Sequence, residues 1–326
     1  MKYLSLIKSS AAYRSLYKDV KADKLNHAYL VTVNDEEILK AFFTAAACLI
    51  LCPNDCCLEC NTCMKVINGN YADIRYIKPD LDSKNLKVKN LDGLFDSLLV
   101  SSVEKTGKKL YFIYSGDRIS PAIQNKLLKT LEEPPASAII FIGTASESSI
   151  LDTVKSRSRK LYIDTLDTED IYRELSQIYG KGDNVKTAAR ASGGHINIAE
   201  RLLGDEDFIE SYTEIWNMLR DLSSSSDVID YITKPFMSKE RLPDALNIME
   251  MAFRDALAYK SGINTKSVQK KAHLDIISEN YTVEAMVKAI DLIITAKEKL
   301  SFFCNVMNVG DNLLMSILEV RYKCRK

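Results

Sequence analysis

His27-Ala-Tyr-Leu-Val-Thr-Val-Asn-Asp-Glu-Glu-Ile-Leu-Lys40 decides how this chain is read. A β-prone run from Ala28 to Val33 gives way to three acids and then to a helical pattern from Glu37 to Leu51, so the segment reads as strand, loop and helix. In a nucleotide-binding unit of that shape the loop carries Gly-x-x-x-x-Gly-Lys, whose backbone N–H groups cradle phosphate. Here Val33 and Ile38 stand at the glycine positions and Leu39 at the lysine position. A shift of one residue offers Lys40 as the lysine, still without glycines. Asp35, Glu36 and Glu37 put negative charge at a helix N-terminus that must stay free if it is to bind an anion. The frame of a nucleotide site is present without its chemistry.

Further β-rich runs at Asp73 to Ile77, Leu110 to Tyr114, Ile139 to Gly143 and Leu161 to Ile163 alternate with stretches of helical period, which predicts a parallel α/β sheet. An acidic pair that would hold magnesium is missing after the Leu110 run, where Tyr114 and Ser115 stand instead. Asp117, beside Arg118, reads as a salt-bridged structural residue. Beyond Asp164 the β-rich runs stop. Leu246, Met249, Phe253 and Leu257 fall on one helical face, and Val283, Met286, Val287, Ile290 and Ile294 on another, and both stripes read as core. Ser223 to Ser226 reads as a loop between helices. The domain boundaries expected are 1–164, 165–205 and 206–326.

With 326 residues, 46% hydrophobic and 27% charged, the chain has the composition of a protein of two or three globular domains. Its 44 basic residues balance 44 acidic ones, so no overall attraction to nucleic acid or membrane is built in. The apolar runs fall short of the roughly 20 residues that span a bilayer, and Met1 to Ser10 lacks the apolar stretch of a secretion signal. A cytoplasmic protein without a membrane partner is expected.

Five of the eight cysteines lie between Cys52 and Cys63. Cys57-x-x-Cys60 and Cys60-x-x-Cys63 have the spacing at which a tight turn aims two thiolates at one tetrahedral ion, and in a reducing compartment such clusters hold zinc rather than disulfides. Cys52, Cys57, Cys60 and Cys63 are the assigned ligands, with Cys56 spare and the choice between Cys56 and Cys57 open. Four thiolates close the coordination sphere, so the zinc would be structural. Cys48, Cys304 and Cys324 read as small hydrophobes.

Ser120-Pro-Ala-Ile-Gln-Asn-Lys-Leu-Leu-Lys-Thr-Leu-Glu-Glu-Pro-Pro135 is a helix with Ser120 as its cap, Pro121 in its first turn and a proline pair as its stop. Together with His27-Ala-Tyr-Leu30, the cysteine cluster and Ser156-Arg-Ser158, it resembles the delta′ family of bacterial DNA polymerase III clamp-loader subunits. That resemblance implies an AAA+ core over 1–164 with an inserted zinc module at about 52–63, an all-α lid over 165–205 and an all-α collar over 206–326 that joins subunits into a pentamer. It implies a subunit that does not hydrolyse ATP but helps to load the sliding clamp on primed DNA. Its partners would be gamma or tau subunits and delta, with the clamp and primed DNA met in the assembled complex.

The family motif Ser-Arg-Cys appears here as Ser156-Arg157-Ser158. By that similarity Arg157, with Ser156, reaches across the subunit boundary to the neighbour's ATP, a task for which a permanently charged, forked donor is suited. Lys155, Arg159 and Lys160 make the stretch densely cationic, which favours phosphate over carboxylate as its counterpart. In Ser192-Gly-Gly-His-Ile-Asn-Ile-Ala199, Ile198 stands where active relatives carry a second phosphate-sensing arginine. His195 reads as a capping or solvent-facing residue. An active gamma/tau-like ATPase would need the missing glycines, lysine and acids, and a zinc-bearing nucleic-acid-binding protein would need a basic surface.

Overall fold

In the computed structural model, strands β1 (Ala28–Thr32), β2 (Ile74–Ile77), β3 (Lys109–Ile113), β4 (Ala138–Thr144) and β5 (Arg159–Tyr162) form one parallel sheet in the order β2-β3-β4-β1-β5. The structure describes residues 2–33, 35–78, 88–98, 100–114, 116, 119–163, 166–262, 271–301 and 304–324; Ser115, Asp117 and Arg118 lie outside them. The chain divides into two compact units, Met1–Asp164 and Thr165–Lys326. The sheet belongs to the first.

β3 and β4 are buried along their whole length, whereas the edge strands β2 and β5 alternate with exposed positions, as expected when helices cover both faces of a parallel sheet. One face carries a row of rings. Tyr76, Phe112, Phe141 and Tyr29 occupy paired positions on β2, β3, β4 and β1, with successive centroids 5.6, 5.1 and 4.9 Å apart and near-parallel planes. Helix α3 (Glu36–Leu51) lies on this row, and its Phe43 meets Phe112 at 4.7 Å, Tyr114 edge-on at 5.0 Å and Phe141 at 6.2 Å. α1 (Leu4–Ser9), α2 (Ala11–Lys21) and α4 (Asn61–Ile67) pack around α3. Buried from nearly every side, α3 is apolar nearly all round, as a central helix must be.

Mostly aliphatic side chains, with Tyr111 among them, build the other face. Leu30, Ile113, Ile140 and Ile142 pack with α5 (Val88–Leu98), α6 (Pro121–Glu132) and α7 (Asp152–Arg157). Ser120 is the N-cap residue of α6 and Pro121 opens it, but the Ser120 hydroxyl makes no capping bond; its carbonyl takes the N–H groups of Ile123 and Gln124 instead.

The second unit is helical throughout its described residues: α8 (Thr168–Tyr179), α9 (Asp183–Ala191), α10 (Ile196–Gly204), α11 (Glu206–Asp221), α12 (Ser225–Ile232), α13 (Leu242–Lys260), α14 (Lys271–Asn280), α15 (Val283–Ser301) and α16 (Val306–Lys323). Its core gathers around Trp216, Phe236, Leu246, Met249 and Phe253. The α13 stripe is core as expected, with Leu257 half-buried at its edge. The α15 stripe is not. Met286 is buried, but Val283, Val287 and Ile294 are exposed, and Ala285, Ala289, Ile293 and Ala296 face the core in their place. α15 packs along α13, and its buried face runs through Ala285, Met286, Ala289, Ile293 and Ala296, about a residue out of phase with the expected stripe. The serine run is also partly helical: Ser224 and Asp227 form a capping box, so Ser225 and Ser226 belong to α12.

Because Phe43 joins helix to sheet through three rings, Phe43→Ala is expected to cost about 3–5 kcal/mol, read as a lowered urea midpoint by circular dichroism.

Candidate functional site

The four assigned cysteines converge. Cys52 ends α3, Cys57 lies in the turn that follows, Cys60 caps α4 and Cys63 sits in its first turn. Their sulfurs all lie within 4.8 Å of one another, and Cys52 Sγ is 3.6 Å from both Cys57 Sγ and Cys60 Sγ. A tetrahedron with metal–sulfur bonds of about 2.3 Å has edges of about 3.8 Å, so the spacing fits a four-thiolate metal site such as one for zinc. Backbone N–H groups of Asn54, Cys60 and Cys63 donate to the sulfurs of Cys52, Cys57 and Cys60 at 3.3–3.4 Å. Asp55, Cys56 and Leu58 take left-handed conformations, with φ of 51°, 61° and 65°, which fold the chain tightly enough to aim those amides inward.

Charge argues the same way. Burial alone would push the Cys52 thiol up, but the backbone amides of Cys57 and Asn54 and the thiols of Cys63 and Cys57 outweigh it and bring it down to about 7. Burial pushes Cys63 the other way. Four thiolates at this spacing repel one another unless a cation sits among them. Cys56 is buried apart from the group, hydrogen-bonded to Cys48 and Tyr13.

The phosphate-binding position is filled by the protein itself. Asp35 caps α3, its Oδ1 accepting the Ile38 N–H at 3.1 Å. Leu39 is buried against β4, where a Cβ on Gly143 would lie only 2.4 Å from a Leu39 methyl. Tyr114 is buried against Phe43, and Lys40 points to solvent on α3. These residues do not fit a magnesium-bound triphosphate: a carboxylate caps the helix and takes the Ile38 N–H, no lysine stands at the phosphate position, and Leu39 packs on Gly143. In the second unit, Ile198 is likewise a core residue.

Arg157 ends α7. Its NH2 lies 2.8 Å from Glu132 Oε1 at the end of α6, and its NH1 donates to the Thr153 carbonyl at 3.1 Å. Ser156 is exposed, and its hydroxyl donates to the Thr153 carbonyl at 3.1 Å. The expectation that this cationic stretch faces phosphate rather than carboxylate does not hold within the chain. Lys155 pairs with Asp152 at 2.7 Å, Arg159 with the buried Asp19 at 2.7 Å and Lys160 with Glu147 at 2.8 Å. Burial opposes ionisation of Glu147, but Lys160, Tyr162 and Thr32 hold its carboxyl below the usual range. Gln124, buried in α6, donates to the Ser149 carbonyl and accepts the Leu151 N–H, both at 2.8 Å, which ties α6 to the start of α7.

Sequence reasoning quoted Glu132 and Gln124 within a motif but gave neither a role. The bonds that tie α6 to α7, from Glu132 to Arg157 and from Gln124 to Ser149 and Leu151, span 25 residues or more, beyond any local periodicity. His195 occupies the N-cap position of α10 without a side-chain capping bond. It is half-buried, and burial and then the nearby Lys297 hold its pKa below the ordinary histidine value. It therefore caps α10 through its carbonyl, which accepts the Ala199 N–H, and not through its imidazole.

A family model described as "DNA polymerase III, delta subunit" matches residues 8–167. The chain is 25% identical to the DNA polymerase III subunit delta′ of Bacillus subtilis (strain 168), over 93% of this chain and 94% of that protein. It is 25% identical to subunit delta′ of Yersinia pestis, over 80% and 78%. It is 24% identical to subunit tau of Bacillus subtilis (strain 168), over 86% of this chain but 55% of tau. No helix among the described residues is long and apolar enough to cross a membrane.

The cysteine geometry predicts about one bound zinc per chain, measured by metal analysis after dialysis. Cys57→Ser should lose it and Cys56→Ser keep it. Because binding needs thiolates, affinity should be weaker at about pH 6 than at about pH 8.

Proposed function

This chain belongs to the delta′ family of DNA polymerase III clamp-loader subunits, and from that membership we propose that it is a non-hydrolysing member which lends Arg157 to the ATP site of a neighbour. The neighbour is a gamma or tau subunit, proteins to which this chain is itself similar. Delta is a further partner, and the complex places the sliding clamp on primed DNA in the cytoplasm. Residues 1–164 act as an AAA+ core, 165–205 as a lid and 206–326 as a collar that meets other subunits. The apolar residues exposed along α15 suit that last role. Zinc holds the 52–63 module together and takes no part in chemistry, since four thiolates leave no open position.

One observation carries the non-hydrolysing reading: the site where nucleotide chemistry would occur is core. Leu39 rests on Gly143 and Tyr114 rests on Phe43, so an active gamma/tau-type site would require these groups to leave and the glycines and acids to be supplied. Arg157 differs from that buried region in being partly exposed at a helix end. A guanidinium there can meet phosphate oxygens as charge shifts during transfer and stabilise it in a pre-organised way.

The test is ATP turnover by a loader reconstituted with this chain, gamma or tau, delta, clamp and primed DNA. The chain alone should show none. Arg157→Ala should lower turnover at the adjoining site on the order of a thousandfold, with assembly intact. Turnover by the isolated chain would overturn the non-hydrolysing reading, and an unchanged Arg157→Ala loader would overturn the role of the arginine.

A further inference from the structure

We propose that Glu132 is the positioning residue of Arg157: it holds the guanidinium in the orientation in which the neighbour's phosphate meets it, and stays bound while it does so. The inference rests on the reading of Arg157 as an arginine acting in trans.

An unpaired arginine carries rotamer entropy that must be lost when it engages a ligand. Here both ends of the fork are already held, NH2 by Glu132 Oε1 at 2.8 Å and NH1 by the Thr153 carbonyl at 3.1 Å. A guanidinium has five N–H donors in fixed directions. Two are used, and the three that remain allow a phosphate oxygen to bind without displacing the carboxylate.

The holder is itself fixed. Glu132 lies on the last turn of α6, whose Ile123, Leu127 and Leu131 are buried under the sheet. Gln124 bonds to the chain on both sides of Ile150, where α7 is about to begin. The two helices therefore move as one piece, and Arg157 is referred to the sheet through Glu132.

The magnitude of the pair separates holding from blocking. Both side chains are exposed by a third to a half, at 36% and 50%. An exposed pair shifts a rotamer equilibrium by no more than about fivefold, too little to withhold an arginine from a triphosphate. It is enough to choose among rotamers of similar energy. Lys155, Arg159 and Lys160 each have a carboxylate of their own, so none competes for Glu132 in this arrangement.

The experiment is steady-state ATP turnover by the reconstituted loader, with clamp and primed DNA, for wild type, Glu132→Ala, Glu132→Gln, Arg157→Ala and the Glu132→Ala/Arg157→Ala double variant. Loosening the guanidinium should lower kcat at the adjoining site by about threefold to fivefold in Glu132→Ala, the most that an exposed pair can change the population of the competent rotamer, and leave KM for ATP unchanged. Glu132→Gln keeps an acceptor oxygen and should recover to near the wild-type rate. The double variant should be no slower than Arg157→Ala alone, because both remove one device. Full-rate or faster turnover by Glu132→Ala beside a slow Arg157→Ala overturns this proposal alone. So does a change confined to KM, or failure of both Glu132 variants to assemble. An Arg157→Ala loader as fast as wild type overturns the trans reading and this proposal with it.

Discussion

The contact between Phe43 and the row of rings on the sheet sets the position of everything else in the first unit. Tyr76, Phe112, Phe141 and Tyr29 stand side by side on four neighbouring strands because the parallel register pairs them directly, and the pleat puts all four on one face. Phe43 meets two of these rings and Tyr114. That fixes α3, and α3 is the element with consequences at both ends. Its first turn brings Asp35 and Leu39 to the carboxyl edge of the sheet, where a phosphate would otherwise sit. Its last residue leads to Cys52 and so sets where the metal site can form. One aromatic contact therefore ties the lost nucleotide site to the cysteine cluster.

Charge in this unit follows a different rule. Between Lys155 and Lys160 stand four basic side chains, and each has its own acid: Lys155 pairs with Asp152 in the same helix, and Arg157, Arg159 and Lys160 pair with Glu132, Asp19 and Glu147 from further away in the chain. Asp19 and Glu147 are the more buried acids, so their pairs anchor β5 to α2 and to the end of β4. The Arg157 pair is more exposed on its acid side. A cation held by an exposed acid is available in a way that one held by a buried acid is not, because breaking the latter leaves an uncompensated charge.

The alternation of β-rich and helical runs was enough to give five parallel strands, each within a residue or two of where the pattern placed it. The cysteine spacing was enough to pick four sulfurs that do converge. Periods read well because they depend on neighbours in sequence. The phase of α15 read badly: Val283, Val287 and Ile294 are exposed and Ala285, Ala289 and Ile293 are buried, because small residues that carry little hydropathic signal lie on the face that packs against the rest of the unit. Partners of charges were illegible for a related reason. Nothing near Arg157 in sequence points to Glu132, and nothing near Arg159 points to Asp19, since both pairings exist only once the sheet has formed.

The replacement at the start of α3 is also a matter of stability. A helix N-terminus carries roughly half a positive charge and up to four unsatisfied N–H groups. A chain that binds nucleotide leaves these to the phosphate, and its helix is best satisfied only when the ligand is present. Here Asp35 takes the Ile38 N–H and Glu36 and Glu37 add charge of the right sign in the first turn. The anion has become part of the protein. The sheet edge is then complete without ligand, and Leu39 can pack on Gly143 where flexibility would otherwise have been needed. The start of α3 is thus stabilised from within the chain, by a carboxylate cap and acidic residues in the first turn, with no ligand needed to satisfy it.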